Sequence, residues 1–181
     1  AGVIEETGPG VTEFKVGDRV AYASSPLGSY SEIRVFPINN LVKIPDDISD
    51  ELAAAIMLKG MTAEYLVRRT FKVESGQTVL FHAAAGGVGL IACQWLKSIG
   101  ANVIGTVGSS EKAELARANG CDHTILYKEE DFVKKVKEIT NGDGVPVVYD
   151  SVGKDTAIQG LDCLSPLGLL VIFGNSSGNA P

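Results

Sequence analysis

The chain has 181 residues, of which 45% are hydrophobic and 21% are charged, and this composition predicts a folded globular protein rather than a disordered one. Its formal net charge of −6, from 16 Lys and Arg against 22 Asp and Glu, makes nucleic acid and anionic membrane surfaces unfavourable partners. No apolar run reaches the roughly 18 residues that would predict a membrane-spanning helix.

Cysteine and histidine usage argues against a disulfide framework or a zinc centre. Cys93, Cys121 and Cys163 are far apart in the sequence, and no Cys or His pair has the spacing of zinc ligands. Each cysteine has small or apolar neighbours, so we expect three core residues in a reducing, cytoplasmic setting, with a reactive thiol as the alternative. His82 and His123, within or beside predicted strands, are expected to be structural.

The first part of the chain predicts short strands. The chain opens without Met on residues 1–6, which predict a strand, and it ends soon after the apolar strand predicted at residues 169–173, from which we infer a fragment of a longer protein. Residues 16–22 predict a turn followed by a strand, and further strands are predicted at residues 30–36, before Pro37, and 41–44, before Pro45.

Two helical stretches are predicted to follow these strands. Ser49 is expected to cap the first, with Leu52 and Ile56 facing the core. The second is expected to run from Thr62 towards Arg69. No linker rich in Gly, Ser or Pro separates this part from the rest of the chain, so its boundary is placed only near residue 60.

From residue 77 onward the pattern becomes a regular alternation of strands and helices. Strands are predicted at residues 78–82, 103–107, 124–127, 145–150 and 169–173. Helices are predicted between them at residues 88–99, 111–119, 132–139 and 157–164, with Gly120 placed to end the second in a left-handed conformation. Because the two element types alternate at this length, we expect an α/β fold in which five parallel strands form a doubly wound Rossmann sheet with helices on both faces.

The junction between the first of these strands and its helix carries the most informative motif. Ala84, Gly86 and Gly89 have the spacing of G-x-G-x-x-G, with alanine in the first glycine position. Such a turn exposes main-chain N–H groups at a helix N-terminus, lets a pyrophosphate come close and lets helix and sheet pack tightly. A purely structural turn is the alternative, but the strand before it and the helix after it favour dinucleotide binding.

The end of the next strand indicates which dinucleotide is bound. An NAD site usually has a carboxylate about 20 residues beyond the glycines, where it binds the ribose 2′-hydroxyl. Residues 107–110 are Val-Gly-Ser-Ser, without a carboxylate, and Lys112 follows within one helical turn. This favours a 2′-phosphate and hence NADP(H), with Glu111 pointing to solvent. A solvated Lys112 on an exposed helix face is the alternative.

The run from Gly76 to Gly89, continuing to Gln94 and Lys97, resembles the signature of the zeta-crystallin-like quinone oxidoreductases, which belong to the medium-chain dehydrogenase/reductase superfamily. Further segments of that family resemble residues 17–20, 59–63, 149–153 and 173–178. The resemblance implies two domains. Residues 1–60 would be part of a GroES-like catalytic β domain, and residues 61–181 would be an NADP(H)-binding Rossmann domain that is C-terminally incomplete.

The resemblance also implies a cofactor site, position by position. The pyrophosphate would be lined by Ala85, Gly86, Gly87, Val88 and Gly89. The adenosine 2′-phosphate would be surrounded by Gly108, Lys112 and Tyr127. The ribose and nicotinamide half would lie near Thr62, Ser151, Val152, Phe173, Gly174, Asn175 and Ser176. No catalytic residue is assigned, because the quinone-contacting residues of relatives come mainly from the part of the family fold that precedes this chain.

The zinc alcohol dehydrogenases of the same superfamily are a near alternative. They have a catalytic cysteine in the segment that aligns with residues 56–60, where this chain has Leu58. Because leucine cannot replace a thiolate ligand, we expect no zinc, and we expect no flavin either.

The resemblance implies hydride transfer from NADPH to a small-molecule quinone, by a cytoplasmic enzyme that is a homodimer in its full-length form. A quinone is a good electron acceptor, so holding it beside the nicotinamide and excluding water would suffice without a strong general acid. Two alternatives stay open. One is an NADPH-dependent enoyl or alkenal reductase of the same superfamily, and the other is a non-catalytic nucleotide- or RNA-binding protein.

Overall fold

Two compact units make up the structure, a computed structural model that describes residues 1–181. The first unit is Ala1–Met61 and the second is Thr62–Pro181. Helix α1 (Asp50–Tyr65) begins in the first unit and ends in the second, where a π-helical turn, Leu66–Thr70, continues it. No helix is both long enough and apolar enough to cross a lipid bilayer.

The first unit contains a small antiparallel sheet. Its strands are β1 (Gly2–Val3), β2 (Arg19–Ala21) and β3 (Val42–Lys43), in the order β1-β2-β3. A small core beside this sheet is formed by Ala21, Ile44 and Ala53, with Ile48 and Met57 packed against them. Three of the four strands predicted in this part of the chain are therefore confirmed, each in shortened form.

The predicted strand at residues 30–36 is wrong, because this segment is a loop. The rings of Tyr22 and Phe36 stack with their centroids 4.0 Å apart, and the Arg34 guanidinium lies over both rings. Arg34 also donates hydrogen bonds to two main-chain oxygens of the preceding loop, at 2.8 and 3.2 Å. These side-chain contacts fold the segment as a loop, and an alternating sequence pattern does not reveal them.

Helix α1 is continuous, where two helices were predicted, and it buries a different face. Its cap is confirmed, since the Ser49 hydroxyl accepts a hydrogen bond from the Leu52 amide at 3.1 Å. Leu52 and Ile56, expected in the core, are 46% and 38% exposed, whereas Ala53 is buried. Apolar residues fill every position from 52 to 58, so hydrophobic periodicity could not select the face that packs.

The second unit contains the predicted parallel sheet. Its strands are β4 (Thr78–Phe81), β5 (Asn102–Val107), β6 (His123–Leu126), β7 (Val145–Asp150) and β8 (Leu164–Ile172). The helices between them are α2 (Gly87–Ile99), α3 (Ser110–Ala118), α4 (Phe132–Ile139) and α5 (Ala157–Asp162). The strand order is β6-β5-β4-β7-β8, and every neighbouring pair is parallel. An order that reverses in this way leaves a ligand-binding crevice at the carboxyl ends of the strands.

Each face of this sheet has its own hydrophobic core. Successive residues of a strand point to opposite faces, so Val79 and Phe81 pack with residues of α2 and α3, whereas Leu80 packs with residues of α4. Helices therefore cover both faces, and the doubly wound arrangement is confirmed. Gly120, just after α3, has a φ of 97°, as predicted for the residue that ends this helix.

The three cysteines are core residues, as predicted. Cys93, Cys121 and Cys163 are buried, and none forms a disulfide. Burial raises the pKa of the Cys163 thiol to about 12, so this thiol stays protonated and poorly nucleophilic at neutral pH.

Candidate functional site

The loop between β4 and α2 presents main-chain amides at the carboxyl end of the sheet. Gly86 is the N-cap residue of α2, is extended, and has no side chain to cap the helix. Its own amide donates to the Ala83 oxygen at 2.8 Å, which tightens the turn, and Ala83 has a φ of 54°. The amides of Gly87, Val88 and Gly89 have neither an intrahelical acceptor nor a capping side chain, whereas the Leu90 amide donates to the Gly86 oxygen at 2.9 Å. They form the positive end of the helix dipole, where an anion binds well.

Gly89, in the first turn of α2, packs closely against the loop that follows β4. A Cβ at this position would lie 2.5 Å from the main-chain oxygens of both Ala83 and Ala84. Ala84 has no positive φ, so alanine fits the first position of the glycine pattern without strain. Close packing therefore requires glycine at residue 89. The amides of the first helical turn stay open to a ligand.

A cleft of about 280 Å³ opens at the carboxyl ends of the strands. The predicted cofactor residues in its wall are Ala85, Gly86, Gly108, Lys112, Tyr127, Val152 and Ser176. Its remaining wall residues, which the sequence-based site omitted, are Ala83, Val107, Ser109 and Lys128. A wall residue follows each of the five strands, so the cleft runs along the whole carboxyl edge of the sheet.

The charged side chains in the cleft wall are both cations. Lys112 and Lys128 line the cleft, no carboxylate does, and neither lysine forms an ion pair with the protein. Lys112 lies in the first turn of α3, where the helix dipole disfavours a cation by about 0.3–1 kcal/mol. A cation in this place, beside a cleft without carboxylates, indicates an anionic ligand.

Glu111 is exposed and lies outside the wall of the cleft, as predicted. Its carboxylate accepts hydrogen bonds from its own amide and from the Ser109 hydroxyl, and these bonds keep the pKa of Glu111 below its ordinary value. Ser109 is the N-cap residue of α3. Its hydroxyl caps the helix by accepting a hydrogen bond from the Lys112 amide at 3.4 Å, and Glu111 places no negative charge in the wall of the cleft.

Asp150 shapes the part of the wall that follows β7. This fully buried carboxylate accepts hydrogen bonds from the amides of Val152 at 2.7 Å and Gly153 at 3.0 Å through Oδ1. Its Oδ2 accepts a hydrogen bond from the Thr156 hydroxyl at 2.8 Å. The loop is thereby tied to the end of the strand, and Val152 is held in the cleft wall.

Main-chain hydrogen bonds join the segment after β8 to this loop. The Ser176 amide donates to the Ser151 oxygen at 3.1 Å, and the Lys154 amide donates to the Gly178 oxygen at 3.0 Å. The backbones approach so closely that a Cβ on Gly174 would lie 2.9 Å from the Ser151 oxygen. The two segments predicted for the nicotinamide half therefore lie side by side.

The other predicted cofactor residues lie outside the wall of this cleft. The first turn of α2 contains Gly87, Val88 and Gly89. Phe173 packs against Phe81 with ring centroids 5.7 Å apart, and the Asn175 side chain donates a hydrogen bond to Asn179 at 2.7 Å. Thr62 is half-buried in α1. Contact of these residues with a cofactor stays a prediction.

Lys128 is the charged wall residue that sequence reasoning missed. The strand order could have identified it, because β5 and β6 are parallel neighbours with Val107 opposite Leu126. Residues that follow the two strands therefore meet at one place on the sheet edge. Counting along the chain from the glycines reaches only the end of β5, so it finds Lys112 alone.

His82 is a buried structural residue, as predicted, whereas His123 is exposed at the start of β6. The Nδ1 of His82 lies 2.8 Å from the Thr106 hydroxyl oxygen, and its Nε2 has no polar partner. Burial lowers the pKa of His82 to about 4, although the nearby Asp150 carboxylate acts to raise it. The folded protein therefore keeps this imidazole neutral under mildly acidic conditions.

This buried imidazole should make stability depend on pH. Between the folded pKa of about 4 and the ordinary value of 6.5, the unfolded chain binds more protons at this residue than the folded protein does. We expect the free energy of unfolding to fall by up to about 3 kcal/mol as pH drops through this window. Urea unfolding of the wild type and His82→Gln at several pH values measures the effect. The variant should lose less stability across the window, and equal losses in both proteins would contradict the expectation.

Two family models match different parts of the chain. A family model described as alcohol dehydrogenase GroES-like domain matches residues 1–46, and a model described as zinc-binding dehydrogenase matches residues 87–181. The chain belongs to the zinc-binding dehydrogenase family. This places it in the medium-chain dehydrogenase/reductase superfamily and confirms the resemblance found around the glycine motif.

Curated proteins and crystal structures include close relatives of this chain. Quinone oxidoreductase of Pseudomonas aeruginosa is 58% identical over 178 residues, 98% of this chain and 55% of that protein. The 2-haloacrylate reductase of a Burkholderia species is 54% identical over 182 residues, 99% of this chain and 55% of that protein. The crystal structure of Escherichia coli quinone oxidoreductase complexed with NADPH has 52% identity and a TM-score of 0.97, covering 99% of this chain and 55% of that chain. The chain thus spans about half the length of the relatives it matches.

The family name mentions zinc, but this chain has no set of side chains suited to bind it. Residues 1–181 contain no group of three or more His, Cys, Asp or Glu side chains that could hold a metal ion. Leu58, at the position where zinc alcohol dehydrogenases have a cysteine, is 63% exposed on α1. The described residues do not fit a zinc ion, and no zinc-dependent step is assigned to them.

Proposed function

We propose that the protein containing this chain is an NADPH-dependent quinone reductase that works without zinc, as a cytoplasmic homodimer. The cleft wall carries the proposal, because it combines an uncapped helix N-terminus with Lys112 and has no carboxylate after β5. The Escherichia coli quinone oxidoreductase crystallised with NADPH supports it at 52% identity. Within this proposal, residues 1–60 are part of a GroES-like catalytic domain and residues 61–181 form the NADP(H)-binding domain.

The residues of the chain bind and orient the dinucleotide. The open amides that begin at Gly87 bind the pyrophosphate, and Gly89 lets the helix come close enough to present them. Lys112 and the Tyr127 hydroxyl bind the 2′-phosphate, which a carboxylate after β5 would repel. The paired segments after β7 and β8 hold the nicotinamide half and keep water from it. NADPH, when bound, supplies the hydride that the quinone accepts.

Replacement of Lys112 tests the phosphate contact. Lys112→Gln should raise the KM for NADPH about tenfold, since a charge-assisted hydrogen bond contributes about 1.5–3 kcal/mol and tenfold corresponds to about 1.4 kcal/mol. The KM for NADH should stay within about twofold, because NADH has no 2′-phosphate. Lys134→Gln, an equal charge change on the exposed surface of α4, is the matched control. Equal effects of Lys112→Gln on the two cofactors would contradict the assignment.

A second candidate function is reduction of an activated C=C bond. The 54% identical relative from Burkholderia is named 2-haloacrylate reductase. Reduction of a C=C bond by NADPH would use the same cofactor cleft. Steady-state oxidation of NADPH by the full-length protein with 1,4-benzoquinone, crotonaldehyde or an enoyl thioester separates the two functions. We expect the highest kcat/KM with the quinone. A higher value with either unsaturated carbonyl compound would favour the second function, and no turnover with any of them would favour a non-catalytic role.

A further inference from the structure

Lys112 and Lys128 reach the same place from different elements. β5 ends at Val107 and β6 ends at Leu126, and these two residues are paired in the sheet. The Tyr127 amide donates to the Val107 oxygen at 3.3 Å, so the strand ends stay together beyond the last ladder pair. Lys128 follows immediately, while Lys112 arrives from the first turn of α3.

The Lys128 side chain passes beside Gly108. A Cβ on Gly108 would lie 3.8 Å from Cε of Lys128 and 3.8 Å from Cε1 of Tyr127. The aliphatic part of Lys128 therefore runs beside the residue where NAD-binding relatives of this fold usually place their ribose-binding acid. Its ammonium group, one bond beyond Cε, belongs to the wall of the same cleft as Lys112.

The acids near Lys128 do not neutralise it. The Glu130 carboxylate accepts a hydrogen bond from the Leu126 amide at 2.8 Å and is turned back towards the main chain. Glu129 is exposed and absent from the cleft wall. Two ammonium groups in one cleft repel each other, and an anion between them relieves the repulsion. A phosphate monoester fits best, because it has a charge of about −1.5 to −2 near neutral pH.

We propose that Lys128 is a second binding residue for the 2′-phosphate and that, together with Lys112, it sets the preference for NADPH over NADH. This inference rests on the proposed function and deepens it. Lys112 approaches the phosphate from α3, and Lys128 approaches it from β6. Gly108, in the wall of the same cleft, adds no side chain there.

Calorimetric titration of the full chain with NADPH and NADH tests the role of Lys128. Lys128→Gln should raise the Kd for NADPH about tenfold, or about 1.4 kcal/mol, and should leave the Kd for NADH within about twofold. Lys128→Arg keeps the charge and should retain most of the affinity for NADPH. Lys134→Gln should change neither Kd, because its side chain lies outside the cleft. Thermal unfolding of each variant checks that the fold is intact.

The outcomes separate this inference from the proposed function. If the wild type prefers NADPH and Lys128→Gln keeps the same ratio of Kd values, the inference about Lys128 is wrong and the proposed function stands. If Lys128→Gln weakens NADPH and NADH equally, Lys128 does not discriminate between them and the inference is again wrong. If the wild type binds neither nucleotide, both the inference and the proposed function fail.

Discussion

Asp150→Ala should lower the free energy of unfolding by about 3–5 kcal/mol, because it leaves several buried polar groups without partners. The carboxylate is fully buried and accepts three hydrogen bonds, from two amides of its own loop and from the Thr156 hydroxyl. Alanine removes all three acceptors and also leaves a cavity. The loop that holds Val152 in the cleft wall would lose its attachment to β7, so affinity for NADPH should fall as well.

Urea unfolding followed by circular dichroism measures this loss. Asp155→Ala is the matched control, since Asp155 is an exposed acid of the same loop, and it should change stability by less than about 0.5 kcal/mol. Asp150→Asn keeps an oxygen for the two amides and should lose less stability than the alanine variant. A loss in Asp150→Ala no larger than in Asp155→Ala would show that the carboxylate does not hold the loop.

Gly89→Ala should reduce both stability and activity. The new Cβ would lie 2.5 Å from two main-chain oxygens, and main-chain atoms cannot rotate away as a side chain can. Strain of this kind costs typically about 1–3 kcal/mol, and we expect a value near the upper end. Relief of the strain must move the N-terminus of α2 away from β4. Because a displacement of about 1 Å in positioning groups can cost about 100-fold, kcat/KM for NADPH should fall by about that factor.

Gly60→Ala is the matched control for this substitution. Gly60 lies inside α1, and a Cβ on it would meet no atom within 4 Å. It should gain about 0.5–1 kcal/mol of stability, as alanine does over glycine in an unstrained helix interior. Gly89→Ala with wild-type stability and wild-type kcat/KM would contradict the close packing of α2 against the loop after β4, on which the site depends.

The fold of the second unit could be predicted because its signals are local. Each strand is a short apolar run followed by a helix of regular period, and right-handed crossovers then leave few possible arrangements. The loop at residues 30–36 could not be predicted, since Arg34 and the stacked rings of Tyr22 and Phe36 join residues that are separated in sequence. The buried face of α1 could not be predicted, because residues 52–58 of the helix are all apolar and every side of it is equally hydrophobic.

Part of the candidate site could also be predicted from local sequence signals. Residues after parallel strands meet at one sheet edge, so the glycine loop and Lys112 could be placed from the sequence. Assigning Lys128 to the site requires knowing that β5 and β6 are neighbours. This follows from the strand order and not from any sequence motif. The role of Asp150 depends on three hydrogen bonds within a buried loop, and no spacing rule identifies them.

Calorimetric titration of the wild-type chain with 2′,5′-ADP and 5′-AMP tests phosphate recognition most directly, because the two ligands differ only in the 2′-phosphate. The cation-lined cleft predicts that 2′,5′-ADP binds at least about tenfold more tightly and that added salt reduces this difference. Equal affinities for the two ligands, or binding of neither, would contradict the assignment of the cleft to NADP(H).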